Sequence, residues 1–318
     1  MKFVRNTIIL FIVISAVAFI TFKKMIERPG PLTAPVVIDI NRGASSYEVA
    51  NILFRDNVIS NPLFFRVLAK IKKADVLIKA GEYHFDAGLS MLQVLDKLTK
   101  GDVIYHKVTI PEGYTVGQIL YLLSMVDNLS GEFDVVPSEG TIFPETYTFS
   151  KGKKRMDLVN EAKSVMRAKL KDVWDNRDEG LPYKNINEML IMASIIEKET
   201  GINDERAKVA SVFVNRLKKG MLLQTDPTVI YAITEGMQNF GRALTRKDLK
   251  VDSPYNTYKY TGLPPTPICN PGFESIYAAA HPADTDYLYF VANGQGGHNF
   301  ARTLSEHNKN VAHWKKVR

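Results

Sequence analysis

Met189-Leu190-Ile191-Met192-Ala193-Ser194-Ile195-Ile196-Glu197-Lys198-Glu199-Thr200-Gly201 decides how the rest of the chain is read. A nearly all-apolar run ends there on charge, and with Asn185 or Asn187 as its cap it forms a helix over 185–200. A carboxyl at Glu197 is costly unless something uses it. Burial disfavours the charged form, and so does the partial negative charge of a helix C-terminus. Both effects supply the protonated acid that a general acid requires. The plainer reading is a boundary glutamate whose head reaches water or a lysine, and the run taken alone leans that way. Glu199 lies two positions on, about 200° around the helix, so the two carboxyls cannot face one site. Ala193 and Ser194, four and three residues before Glu197, leave room for a ligand beside it. Glu199 is expected in a surface or supporting pair.

Outward from this helix the pattern continues. Apolar residues recur at helical spacing from Met156 to Trp174. Asn203-Asp204-Glu205 opens another helix as an Asn cap followed by first-turn acids, and Lys218-Lys219-Gly220 closes it. Leu223-Gln224-Thr225-Asp226-Pro227 sets three polar side chains at a further helix start, where Thr225 or Asp226 can also serve merely as the cap. A long Pro- and Gly-rich loop follows Val251, and its Tyr255, Tyr258 and Tyr260 argue against disorder. Asn256 and Tyr258 suit contacts to a sugar or peptide, although each taken singly is an ordinary turn residue. Tyr287 to Val291 and His298 to Phe300 read as a hairpin, with His298 at its turn, and a basic helix follows from Ser305.

Toward the N-terminus, Asn6 to Phe22 carries no charge over 17 residues, the short end of a membrane span. Basic residues flank both sides, so charge bias does not orient it. Ala16-Val17-Ala18 resembles a signal cleavage site, but the apolar run continues past it to Phe22, so an uncleaved anchor is expected. Ile38-Asp39-Ile40…Gly43-Ala44-Ser45 and Val108-Thr109-Ile110…Gly113-Tyr114-Thr115 each lead from a short strand through a Gly turn into a capped apolar helix, and Gly81 to Leu98 is a shorter echo. This degenerate repeat resembles the LysM module, a small glycan-binding fold. The expected organisation is α+β: a cytoplasmic tip and anchor at 1–28, a linker at 29–36, a LysM-like region at 37–130, and a catalytic domain at 131–318.

The net charge of +7 over 318 residues suits an anionic polymer or membrane face. No nucleic-acid-binding motif supports a nucleic-acid partner. Cys269 is the only cysteine and no two of the six histidines are spaced four apart, so neither an internal disulfide nor a metal site is expected. No phosphate-binding loop or nucleophile elbow is present. Carboxylates and amides remain to carry chemistry, and no convincing pair of catalytic carboxylates stands out.

Ala193 to Thr200 resembles the signature of the YceG (MltG) family of endolytic murein transglycosylases. The similarity continues through Val209 to Leu217, Leu223 to Tyr231, Tyr255 to Tyr258, Thr261 to Pro265, Ala278 to Pro282, Tyr287 to Val291 with Gly296 to His298, and Phe143 to Tyr147. The resemblance implies a single-pass inner-membrane protein with its catalytic domain in the periplasm. It would cut nascent peptidoglycan glycan strands without a cofactor, near peptidoglycan synthases. It places the catalytic glutamate on Glu197, first as acid toward the glycosidic oxygen and then as base toward the muramyl C6 hydroxyl, leaving a 1,6-anhydro end. Gln224, Asp226, Asn256, Tyr258 and His298 fall in matching blocks as expected substrate contacts. Two alternatives stay open: a hydrolase with Asp226 or Glu199 as second carboxylate, and a non-catalytic glycan-binding scaffold.

Overall fold

A computed structural model describes residues 2–237 and 240–317, with helices and short strands mixed along the chain. They form two compact units: one takes in the residues through His106 together with Thr148–Lys153, the other Lys107–Tyr147 and the residues from Lys154 onward. Residues 107–130, expected with the LysM-like region, thus lie in the second unit.

The first unit begins with α1 (Lys2–Glu27), a helix long and apolar enough to cross a membrane. Its end is tied to the unit: Ile26 joins the core, and Phe22 meets Phe64 edge-on at 5.8 Å. β1 (Val36–Ile40) leads to α2 (Ser46–Arg55) and α3 (Pro62–Ile71); β2 (Gly81–Phe85) leads to α4 (Met91–Lys100). β1 and β2 pair antiparallel, Val36 opposite Phe85 and Ile40 opposite Gly81. Alternate strand residues Ile38, Ile40, Tyr83 and Phe85 enter the core against Val49, Leu53, Phe65, Leu68, Leu95 and Leu98. The repeat has a physical basis at the helix starts. Ser45 with Glu48 and Ser90 with Gln93 form reciprocal capping boxes, which satisfy N–H groups left open at the first turn.

A third such box, Thr115 with Gln118, opens α5 (Val116–Ser124) in the second unit. The chain reaches it along β3 (Tyr105–Thr109) and continues through β4 (Leu129–Ser130), β5 (Thr146–Ser150) and β6 (Lys153–Lys154), with β3 paired to β5 and β4 to β6. Then come α6 (Arg155–Asp175) and α7 (Ile186–Glu199), the latter capped by Asn185. Every α7 residue from Met189 to Ile196 is buried, which explains why the run lacks a polar face. Around α7 pack α6, α8 (Asn203–Lys218), α9 (Asp226–Thr234) and α10 (Phe273–Ala280), the last bringing the small residues Ala278, Ala279 and Ala280. β7 (Tyr289–Ala292) and β8 (His298–Ala301) form the expected hairpin, with Ala292 opposite His298, and α11 (Leu304–Val317) packs against β7.

Two helix starts differ from expectation. α8 is preceded by Ile202, without a side-chain cap, and Asn203 Oδ1 accepts from the Arg206 guanidinium. At α9 the N-cap position is Thr225, but its hydroxyl makes no cap bond and donates to Glu199.

Candidate active site

α7 ends with two glutamates in unlike surroundings, as their angular separation requires. Glu197 turns into the protein. Its side chain and that of Arg206 are each 7% exposed, with guanidinium and carboxyl 3.9 Å apart. The other carboxyl oxygen accepts the Gly272 N–H at 3.0 Å. Glu112 lies close by, and burial together with the Glu197 charge pushes its carboxyl up. The surrounding loops are pinned: Gly113 N–H donates to Asn270 O at 2.9 Å, and Lys198 Nζ donates to Gly113 O at 3.3 Å. Glu197 thus faces an arginine and a backbone N–H. Ser194, expected to leave room for a ligand, is fully buried and donates to Ile191 O while accepting from Ile268 N–H.

Glu199 faces a cavity of about 460 Å3, within the usual range of ligand sites at about 300–1,000 Å3. One wall comes from α8 and the loop after it: Phe213, Arg216, Leu223 and Gln224. Asp226 opens α9, and Tyr258 reaches in from the long loop. Glu197 is not among the lining residues. Protein packs densely around Glu199, although the cavity leaves it partly open, and burial drives its carboxyl from 4.5 to about 7. The Thr225 hydrogen bond opposes that rise, and the neighbouring Asp226 charge adds to it. Tyr258 Oη donates to Asp226 at 2.6 Å, and burial with that bond pushes the phenol well above its ordinary value.

The cavity wall is fixed by one arginine and one threonine. Arg216, itself buried, donates to Leu288 O at 2.7 Å and Leu223 O at 2.9 Å, and lies over the Tyr289 ring at 5.1 Å. Thr257 accepts from Gln224 N–H through its carbonyl and from Thr225 N–H through its hydroxyl, both at 3.1 Å. Between these anchors Gln224 adopts φ +52°, a left-handed conformation that is uncommon for a residue with a side chain.

Gln224, Asp226 and Tyr258 thus gather on one cavity, around Glu199 rather than Glu197. His298 sits at its side: it holds Glu205 through Nδ1 at 2.7 Å and backbone N–H at 3.0 Å, and its field reaches Glu199. Asn256 is fully buried and spent on the loop, donating to Leu249 O at 3.1 Å and Val251 O at 2.8 Å and accepting from Tyr258 N–H at 3.0 Å. It holds Tyr258 in place and does not line the cavity. Glu199 was expected in a supporting pair or as a second carboxylate; Arg216 and the α11 residues His307 and Trp314 were not singled out. Arg216 lies inside a matching block, so its signal was present; no pattern around α11 pointed to a cavity. Among the described residues, no cluster of His, Cys, Asp and Glu could hold a metal ion.

Residues 38–313 match the YceG-like family. The endolytic murein transglycosylase of Bacillus subtilis (strain 168) is 36% identical over 92% of this chain and 88% of its own length. The protein of the same name from Streptococcus pneumoniae serotype 2 is 28% identical over 98% of this chain, which spans 64% of that longer protein. A crystal structure of a YceG-like protein from Listeria monocytogenes superposes with a TM-score of 0.54 at 35% identity, covering 86% of this chain and 98% of that one. With its buried α7 and its carboxyl-lined cavity, the chain belongs to the YceG-like family.

Proposed function

We propose that this protein is an endolytic murein transglycosylase that cuts peptidoglycan glycan strands, with Glu199 as its acid and base. The observation that carries the assignment is the Glu199 carboxyl itself: buried at the head of a cavity and raised to about 7, it can hold a proton near neutral pH and also release it. The names of the relatives support the substrate class.

The steps balance on one carboxyl group. Glu199 gives its proton to the glycosidic oxygen between N-acetylmuramic acid and N-acetylglucosamine, and the bond from the muramyl anomeric carbon to that oxygen breaks. The glucosamine leaves as an alcohol. The muramyl C6 oxygen bonds to the anomeric carbon, and its proton passes to the Glu199 carboxylate. Water is not consumed, and the acid is regenerated. Thr225, donating to the carboxyl, orients it; Tyr258 and Asp226, joined to each other, present polar groups to the sugar.

Asp226 beside Glu199 favours one second reading, a hydrolase in which Asp226 directs a water. Products separate the two: 1,6-anhydro ends for transglycosylation, reducing ends for hydrolysis. A protein that binds glycan but releases nothing would be a scaffold. The sequence expectation of Glu197 as catalyst is tested in the same assay with Glu197→Gln beside Glu199→Gln.

We further propose that α1 anchors the protein as a single pass in the inner membrane, with both compact units on the periplasmic side. Its lack of charge from Asn6 to Phe22 and the exposure of residues 6–21 support an anchor. Such placement would put the cavity near newly made strands and near peptidoglycan synthases. Protease accessibility of the C-terminal helix in intact spheroplasts tests the orientation; protection there would reject it.

A further inference from the structure

The cavity at Glu199 has a wall that the transglycosylase reaction does not use. His307, Val311 and Trp314 lie on α11 at intervals of four and three residues, one face of the helix, and all three line the cavity with Phe290 and Val291 of β7. Val311 and Trp314 are only partly buried. The wall is mounted firmly: His307 stacks on Tyr289 with ring centres 5.2 Å apart, and Tyr289 in turn lies under Arg216. His307 Nδ1 is buried with no hydrogen-bond partner, and burial, reinforced by Arg216, pushes the imidazole down toward its neutral form. At the cavity wall a neutral imidazole offers one donor and one acceptor.

We propose that this face of α11 is a sugar-binding subsite, in which Trp314 stacks on the apolar face of a pyranose ring one or more units from the scissile bond and His307 serves the polar substituents of that ring. The subsite rests on the transglycosylase reading for the class of its ligand, an N-acetylated hexosamine glycan. A sugar ring has one face rich in C–H bonds and a rim of hydroxyl and acetamido groups, and an indole beside an imidazole matches both. The role assigned to this wall is binding, so its loss should raise KM more than it lowers kcat.

The chain has two tryptophans, which makes the test direct. Trp174 lies on α6, covered by Arg177 at 3.7 Å, and does not line the cavity. The full-length protein in detergent, carrying Glu199→Gln to prevent turnover, is titrated with purified uncrosslinked glycan strands while tryptophan emission is followed. The emission change should persist with Trp174→Phe and vanish with Trp314→Phe. In the otherwise wild-type enzyme Trp314→Ala should raise KM about tenfold, equivalent to about 1.4 kcal/mol, with kcat within about threefold. Trp314→Phe, which keeps an aromatic ring, should recover most of that loss and guards against misfolding of α11. Unchanged KM in Trp314→Ala, or emission changes arising only from Trp174, would overturn the subsite while leaving the transglycosylase reading intact. An enzyme that cleaves nothing would overturn that reading instead, and the Trp314 emission would still decide the subsite.

Discussion

Replacing Glu199 with Gln should make the protein more stable and nearly inactive at once. The carboxyl rises from 4.5 to about 7 because burial disfavours its ionised form. The sign follows from linkage. A folded-state value above the unfolded one means that the folded protein holds the proton more tightly, so the stability due to this group is full below about pH 4.5 and is lost as pH rises to about 7. At pH 8 the wild type therefore carries an unfavourable buried charge. The displacement corresponds to about 3 kcal/mol, or about 2 kcal/mol once water in the cavity is allowed for. Gln is nearly isosteric and uncharged, and its carbonyl can still accept from Thr225. Denaturant unfolding of Glu199→Gln should show a gain of about 2 kcal/mol at pH 8 and only about 0.5 kcal/mol at pH 5. Over the same range kcat should fall by about 10²–10⁴, the usual contribution of a general acid. The wild-type kcat/KM should decline above about pH 7, where the free acid is lost. Unaltered turnover in Glu199→Gln would rule out Glu199 as the acid, and a stability gain equal at both pH values would rule out its raised ionisation.

Three further outcomes are expected. Glu197→Gln removes the charged partner of buried Arg206 and should destabilise the fold by about 3 kcal/mol, while the folded fraction keeps turnover within about tenfold; a thermal melt and a rate normalised to folded protein check both. Thr225→Val removes a donor that favours the Glu199 carboxylate, so the alkaline limb of the pH–rate profile should move to higher pH; a shift to lower pH would contradict the contact. Glu139, bonded to Val116 N–H at 2.9 Å and Asn270 Nδ2 at 3.0 Å, is also driven by burial to about 7. Glu139→Gln should accordingly flatten the loss of stability between pH 5 and about pH 7.5, read from unfolding midpoints, without moving the pH–rate limb assigned to Glu199.

The fold was legible where local rules act alone. The β1–β2 unit, the capped helices after Ser45, Ser90 and Thr115, and the 289–301 hairpin all follow from alternation, caps and a Gly-rich turn. The apolar run to Ile196 foretold a central helix for the same reason. What the sequence hid was long-range. Helical geometry rightly separated Glu197 from Glu199 but could not say which of the two turned toward a cavity, because that depends on α8, α9 and the loop at Tyr258 meeting in space. Arg206, nine residues after Glu197 and on the next helix, comes within 3.9 Å of it across a loop, a pairing that no periodicity reveals. Asn256 resembled a ligand contact because a loop asparagine that braces backbone carbonyls and one that binds a sugar look alike in sequence. Residues 107–130 repeat the pattern of the first unit yet lie in the second, since a repeat specifies a local shape and not its partner.

The central claim is that Glu199 alone serves as acid and base while the sugar supplies the nucleophile. Mass spectrometry of fragments released from purified peptidoglycan by wild type, Glu197→Gln and Glu199→Gln tests it most directly. Wild type and folded Glu197→Gln should release 1,6-anhydro ends, and Glu199→Gln should release nothing. Reducing ends from the wild type, or anhydro ends released by Glu199→Gln but not by folded Glu197→Gln, would contradict it.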